Sequence, residues 1–171
     1  MEYSPSLKDI AIRNTLKPGD LGAVIGLHGK LYSEEYNFGL GFERYVAQSM
    51  ARFLKNFNDS HDRVWVAEWN GTMVGFLALV HRSESVAQLR YFVVAPLCRG
   101  IGLGKHLLDD WLKEARDLNY HQAYLWTTDH LSLAAAMYKK AGFQLQEQRF
   151  STNFGVPLTE QKYTMIIAGN D

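Results

Sequence analysis

Between Leu89 and Leu108 the chain reads LRYFVVAPLCRGIGLGKHLL, and this stretch restricts the fold more than any other. Leu89 to Val94 is an apolar run rich in β-branched and aromatic side chains, stopped by Ala95-Pro96, which predicts a buried strand. From about Gly102, the residues Leu103, Leu107, Leu108, Trp111, Leu112, Ala115 and Leu118 recur at helical spacing. The strand therefore runs through Leu97 to Gly104 directly into a helix. Gly100, Gly102 and Gly104 leave the backbone amides of this turn unshielded, at a helix end where four amides lack partners and the dipole is positive. Such a turn is an anion cradle, suited to a phosphate or pyrophosphate.

Two familiar phosphate motifs do not fit. G-x-G-x-x-G would need a glycine where Lys105 stands. G-x-x-x-x-G-K-[ST] would need a glycine at Arg99 and a hydroxyl at His106. What is present is R-x-x-G-x-G, spelled by Arg99, Gly102 and Gly104 after Val94-Ala95-Pro96. Downstream, Ala134 to Phe143 reads AAAMYKKAGF, a helix with A-x-x-x-Y and a G-F stop. Together these resemble the two signatures of the GCN5-related N-acetyltransferase (GNAT) family, and the likeness runs from about Ile10 to Ile167. At finer grain, Leu31 to Tyr36, Leu125 to Thr128 and the Phe154-to-Tyr163 segment are similar to the acetyltransferase domain of bacterial MarR-fused regulators.

The resemblance implies an α/β (α+β) fold with a mixed sheet of about seven strands and four helices, and acetyl-CoA as cofactor. It implies that Arg99, Gly100, Ile101, Gly102, Leu103, Gly104 and Lys105 take the CoA pyrophosphate. Phe92, Val93 and Val94 on the strand, with Ser132, Ala135 and Tyr138 on the later helix, would flank the pantetheine arm.

Composition narrows the class further. The 171 residues, 47% hydrophobic and 13% aromatic, suffice for one sizeable core, so a single domain over 1–171 is expected. Lys plus Arg and Asp plus Glu are 18 each, split 9 to 10 through residue 85 and 9 to 8 beyond it. No basic patch follows, which argues against a nucleic-acid partner. No signal-like start or membrane-length apolar run stands out, so a cytoplasmic protein without a membrane partner is expected. Cys98 is the only cysteine and the six histidines show no ligand spacing, so no metal is expected. Only about nine residues precede the first strand, too few for a helix-turn-helix, so the chain is expected to be a catalytic unit alone.

In order, Ile10, Ile12 and Leu16 suggest a strand, and Asp20 can cap a helix whose face holds Leu21, Val24, Ile25, His28, Leu31 and Tyr32. Gly22, Gly26 and Gly29 weaken that helix by up to about 1 kcal/mol each, which predicts a close-packed neighbour. Phe42 to Phe57 is an amphipathic helix, and Asn70-Gly71 joins strands Val64–Trp69 and Thr72–Val80 in a hairpin. Strand Val86–Val94 leads through the glycine loop to a helix ending near Asn119, which can adopt a left-handed conformation. Strand Ala123–Thr127, helix Leu131–Ala141 stopped by Gly142, and strands Gln144–Phe150 and Gln161–Ile167 complete the order β-α-α-β-β-β-α-β-α-β-β.

The implied chemistry moves an acetyl group to a primary amine, which calls for a neutral amine, a polarised carbonyl and a proton for the departing thiolate. Tyr138 matches the family's general acid; read from its helix face alone it is a core tyrosine. A backbone amide near Val94 would polarise the carbonyl. Glu34 and Glu35 are the candidates for the base, or for attracting the amine, and with Tyr36, Phe38 and Phe154 they would line the acceptor site. Gln88 and Arg90 stand where many relatives carry a carboxylate base. The acceptor expected is a small-molecule or peptide amine, and a homodimer is compatible with this reading. A non-catalytic acyl-CoA sensor is the alternative, and Cys98 as an acyl-carrying nucleophile is disfavoured because direct transfer needs no thiol.

Overall fold

A computed structural model describes residues 4–167. After a single 3-10 turn at Leu7–Asp9, the elements are β1 (Ala11–Arg13), α1 (Asp20–Tyr36), α2 (Leu40–Asn56), β2 (Arg63–Trp69), β3 (Thr72–Ser83), β4 (Val86–Val94), α3 (Leu103–Asp117), β5 (Gln122–Thr128), α4 (Ser132–Ala141), β6 (Gln144–Ser151) and β7 (Leu158–Ile166). The seven strands form one sheet in the order β1-β2-β3-β4-β5-β7-β6. Only β4 and β5 run parallel; the remaining neighbours are antiparallel. Seven strands and four helices follow in the order expected from the resemblance.

The sheet separates two apolar layers. On one face α3 and α4 bury Leu103, Leu107, Trp111, Ala135 and Tyr138 against Leu77, Leu89 and Leu125. Trp111 is fully enclosed and its indole Nε1 donates to the Ala78 carbonyl at 3.1 Å, so Trp111→Ala would cost about 3–5 kcal/mol. On the other face Val24, Phe42, Val46 and Met50 from α1 and α2 pack on Val64, Phe76 and Val93. The stripes read from spacing face inward because those helices lie across a sheet whose side chains alternate.

The turns follow their sequence signals. Asn70 and Gly71 have φ of +49° and +75°, the positive pair that matches hairpin twist. Asn119 ends α3 at φ +61° and Gly142 ends α4 at φ +108°.

Other expectations are corrected. Leu16 lies beyond β1, and β7 begins at Leu158 rather than Gln161. Asp20 does not cap α1: its carboxylate accepts from the Lys17 amide at 2.6 Å and pairs with Arg13, which also reaches Glu68. Burial alone would raise the Asp20 pKa, but those bonds hold it below the usual carboxylate value. Of the three glycines in α1, only Gly29 has a close neighbour, where a Cβ would come within 2.9 Å of the Glu43 side chain on α2; Gly22 and Gly26 face open space. Among the described residues no helix is long and apolar enough to cross a membrane, and no cluster of potential ligands fits a metal ion.

Candidate active site

The site arises where the sheet splits. β4 and β5 pair at Val86–Gln122, Ala87–Ala123 and Gln88–Tyr124, and beyond Gln88 they part. Two features drive the separation. β5 stays bonded along its length to β7, while β4 carries a bulge in which Tyr91 and Phe92 together face Leu77 of β3. Tyr91 sits at φ +56°, a conformation a non-glycine residue adopts only where its surroundings impose it. The opening is a cleft of about 850 Å³ between the two strands, floored by α3 and α4 and walled by α1 and the β6–β7 loop.

Its backbone is primed to donate. Ala95 donates to the Val74 carbonyl at 2.7 Å, so its neighbour Val94 is a pair whose backbone groups point away from β3. The Val94 carbonyl accordingly accepts from Arg99 Nε at 3.2 Å, and its amide faces the same gap. At the start of α3 the amides of Leu103, Gly104 and Lys105 precede the first intrahelical bond, which His106 makes to the Gly102 carbonyl at 3.0 Å. Gly100 and Gly102 have φ of +77° and +89°, so the turn needs glycine there. Gly104 is helical; a Cβ on it would make ordinary contacts of 3.8–4.0 Å with Met137, Phe92 and Val94 inside the cleft, so the space it leaves is available to a ligand.

Of the loop and strand residues expected at the cofactor site, Phe92, Val93, Val94, Arg99, Gly100, Gly102, Gly104, Lys105, Ser132 and Tyr138 line the cleft. Three do not. Leu103 and Ala135 turn their side chains into the core, because helix periodicity sends every third or fourth side chain inward, and Ile101, in the turn before α3, packs against it. Cys98 is buried, and desolvation raises its thiol pKa, the opposite of what a nucleophile requires.

Tyr138 lies at the floor, its ring between Phe92 and Phe143 at centroid distances of 6.3 and 6.0 Å. No hydrogen bond engages its hydroxyl among the described residues. Burial, and then the neighbouring Tyr32 phenol, push its pKa well above the usual 10, so at neutral pH it is a proton holder. Tyr32, read from spacing as a core position, lines the cleft beside it; its pKa is raised by burial first and by Tyr36 next. His28, Tyr32, Glu35 and Tyr36 form the stripe of α1 that faces the cleft. His28 is buried with Nδ1 2.8 Å from the Val24 carbonyl, and desolvation lowers its pKa to about 4, so the ring is neutral and Nδ1 donates.

The far end of the cleft is aromatic. Phe154 stands 5.0 Å from Phe42, 5.4 Å from Tyr45 and 5.5 Å from Phe38, and the Gly39 amide donates to the Phe154 carbonyl at 2.9 Å. That bond ties the end of α1 to the β6–β7 loop, which brings Tyr36, Phe38 and Phe154 together at one end of the cleft. The two glutamates separate. Glu34 is exposed and outside the cleft, whereas Glu35 lines it but is paired with Arg99 at 2.8 Å. A carboxylate held by a guanidinium is a poor base, and this one bridges toward the cofactor loop instead of standing free for an amine. Glu160 is likewise paired, with Arg149 at 3.1 Å. His130, at edge-on distances of 6.3 and 5.8 Å from Tyr36 and Phe38, lines the same end with Nδ1 3.3 Å from Asp129. Nothing in its local pattern marked it, since its place depends on the loop between β5 and α4.

The family model described as "Acetyltransferase (GNAT) family" matches residues 29–143. N-acetyltransferase 8F1 of Rattus norvegicus is 32% identical over 138 residues, which is 73% of this chain and 62% of that protein. The chain spans 62%, 50% and 51% of the length of the first three curated relatives it matches. An acetyltransferase of the GNAT family from Staphylococcus aureus Mu50 superposes with a TM-score of 0.77 at 21% identity, covering 93% of this chain and 99% of the other. A GNAT family acetyltransferase from Elizabethkingia anophelis with acetyl-CoA bound superposes at 0.63 with 18% identity, covering 92% and 98%.

Proposed function

The chain belongs to the GNAT acetyltransferase family, and from that premise we propose that it moves an acetyl group from acetyl-CoA to an amine by direct transfer, with Tyr138 as the general acid. The observation that carries the proposal is the split between β4 and β5: one cleft holds free helix-start amides, an outward Val94 amide and a buried, unengaged phenol. The residues present fit acetyl-CoA, because Gly104 leaves open the space a Cβ would fill beside those amides. When bound, it supplies an activated thioester.

The first-turn amides of α3, with Arg99 and Lys105, would hold the pyrophosphate, and Phe92, Val94, Ser132 and Met137 would flank the arm. The Val94 amide would donate to the thioester carbonyl oxygen and polarise it. Tyr138 Oη gives its proton to the departing sulfur. Its raised pKa makes that step harder than for a solvated phenol, but a thiolate in the same dry cleft is destabilised too, so the two stay closer matched than the phenol alone suggests. With Glu34 outside and Glu35 paired, His130 is the group that takes the amine proton.

The same reading covers a single domain over 1–171, a cytoplasmic setting, a small-molecule or peptide amine acceptor, action alone or as a homodimer, and kinship with the catalytic domain of MarR-fused regulators. Tyr138→Phe tests it. With no hydrogen bond to lose, the variant keeps its melting temperature and its CoA Kd, while kcat falls about 10²- to 10⁴-fold. A fall below about tenfold would restore Tyr138 to a purely packing role.

A further inference from the structure

Resting on that transferase reading, we infer from Arg90 that the acceptor amine also carries a carboxylate, on an apolar or aromatic body: an α-amino acid or a close analogue. Arg90 stands on β4 one residue before the bulge and lines the acceptor end of the cleft, half-buried. Arg13, Arg63, Arg99 and Arg149 each meet a carboxylate; among the described residues Arg44, Arg52, Arg82, Arg90 and Arg116 do not, and of these five Arg90 alone lines the cleft. Arg90 is held in place by phenols instead. Its Nη2 donates to the Tyr45 hydroxyl at 3.0 Å, and its guanidinium carbon lies 4.7 Å from the Tyr91 ring centre and 5.9 Å from that of Tyr45. This leaves most of its five donors unspent, in the planar fork that matches a carboxylate.

A second guanidinium reinforces the corner. Arg82 Nε donates to Gln88 Oε1 at 2.8 Å, and Gln88 is a buried, cleft-lining residue two positions before Arg90. Both guanidiniums lie near enough to the Tyr91 phenol to oppose the burial that raises its pKa. The carboxylates of the cleft, Glu35 and Glu160, already have arginine partners, so the uncompensated charge beside the aromatic wall is positive. A simple alkylamine would meet repulsion there, whereas an amine with an acid group nearby would complete the pair. Phe38, Phe42, Tyr45 and Phe154 offer the body of the acceptor a continuous apolar wall.

The test compares phenylalanine, leucine and tryptophan with their decarboxylated counterparts as acceptors, following thiol release from acetyl-CoA. Wild-type protein should favour the carboxylated member at least about tenfold in kcat/KM. Arg90→Gln should lower that value by about 10- to 100-fold, leave the decarboxylated amines within twofold and leave CoA Kd unchanged, with Arg90→Lys in between. Calorimetry with N-acetylphenylalanine and N-acetylphenethylamine supplies a binding readout, in which only the former should weaken. Preference of the wild type for the decarboxylated amines, or equal loss of both series in Arg90→Gln, would overturn the inference while leaving the transferase intact. Thiol release from no amine at all would overturn the transferase reading and this inference with it.

Discussion

Replacing Gly104 by alanine should stabilise this protein and at the same time damage its hold on CoA. Gly104 lies in the first turn of α3 with ordinary helical backbone, so alanine brings helix propensity worth up to about 1 kcal/mol. The new Cβ would sit 3.8 Å from Met137 Sδ, 3.9 Å from Phe92 and 4.0 Å from Val94, which are van der Waals contacts without a clash. For a chain of this size the melting temperature should rise by up to about 2–4 °C. The same methyl occupies the cleft beside the amides of Leu103, Gly104 and Lys105. Loss of one charge-assisted hydrogen bond there costs about 1.5–3 kcal/mol, so CoA should bind roughly 10- to 100-fold more weakly. Gly102→Ala supplies the contrast: at φ +89° it strains the backbone by roughly 1–2 kcal/mol and should lower the melting temperature. Calorimetry with CoA and thermal denaturation of both variants read the two effects separately. A Gly104→Ala protein that melts higher and binds CoA within twofold of wild type would refute the cradle.

Two further outcomes concern titratable groups in and around the cleft. His28, lowered to about 4 from 6.5, binds its proton first in the unfolded chain, so the stability it confers above about pH 6.5 drains away as pH falls towards 4. The full difference is about 3 kcal/mol, and His28→Gln should flatten the denaturation free energy in that window relative to wild type; parallel curves would contradict the buried neutral ring. The candidate bases separate in one series of steady-state measurements: Glu34→Gln should change nothing, Glu35→Gln should alter CoA affinity by releasing Arg99, and His130→Gln should lower kcat/KM for the amine without moving CoA Kd. A loss of amine turnover in Glu34→Gln would reverse that assignment.

What could be read from the chain was whatever depends on near neighbours. The strand, three glycines and helix around Leu89–Leu108, the Asn70-Gly71 hairpin and the left-handed stops at Asn119 and Gly142 are local statements, and the structure repeats them. Helical spacing also places Leu107, Trp111, Val46 and Met50 in the core. Spacing cannot tell a core from a cleft, however, since both want apolar side chains on one stripe, which is why Tyr32 was read as packing and lies beside Tyr138. The bulge at Tyr91–Phe92 is a property of pairing between β3 and β4, so the setting of Arg90 is not visible in the sequence, and the Val94 amide is reached there only through the family resemblance. Glu35 and Arg99 come from distant parts of the chain, and only the fold could reveal that a candidate base and a candidate phosphate ligand satisfy each other.

This cleft either transfers acetyl groups or only holds their carrier. Incubating the wild-type chain with acetyl-CoA carrying a labelled acetyl group and a panel of amines with and without carboxylates, then weighing the amines by mass spectrometry alongside free thiol, measures this in one step. Labelled N-acetyl product should form in equal amount to released thiol, concentrated among the apolar amino acids and strongly reduced in Tyr138→Phe. Tight CoA binding with no labelled amine, in a protein whose Tyr138→Phe variant behaves identically, would contradict transfer and identify the chain as an acyl-CoA sensor.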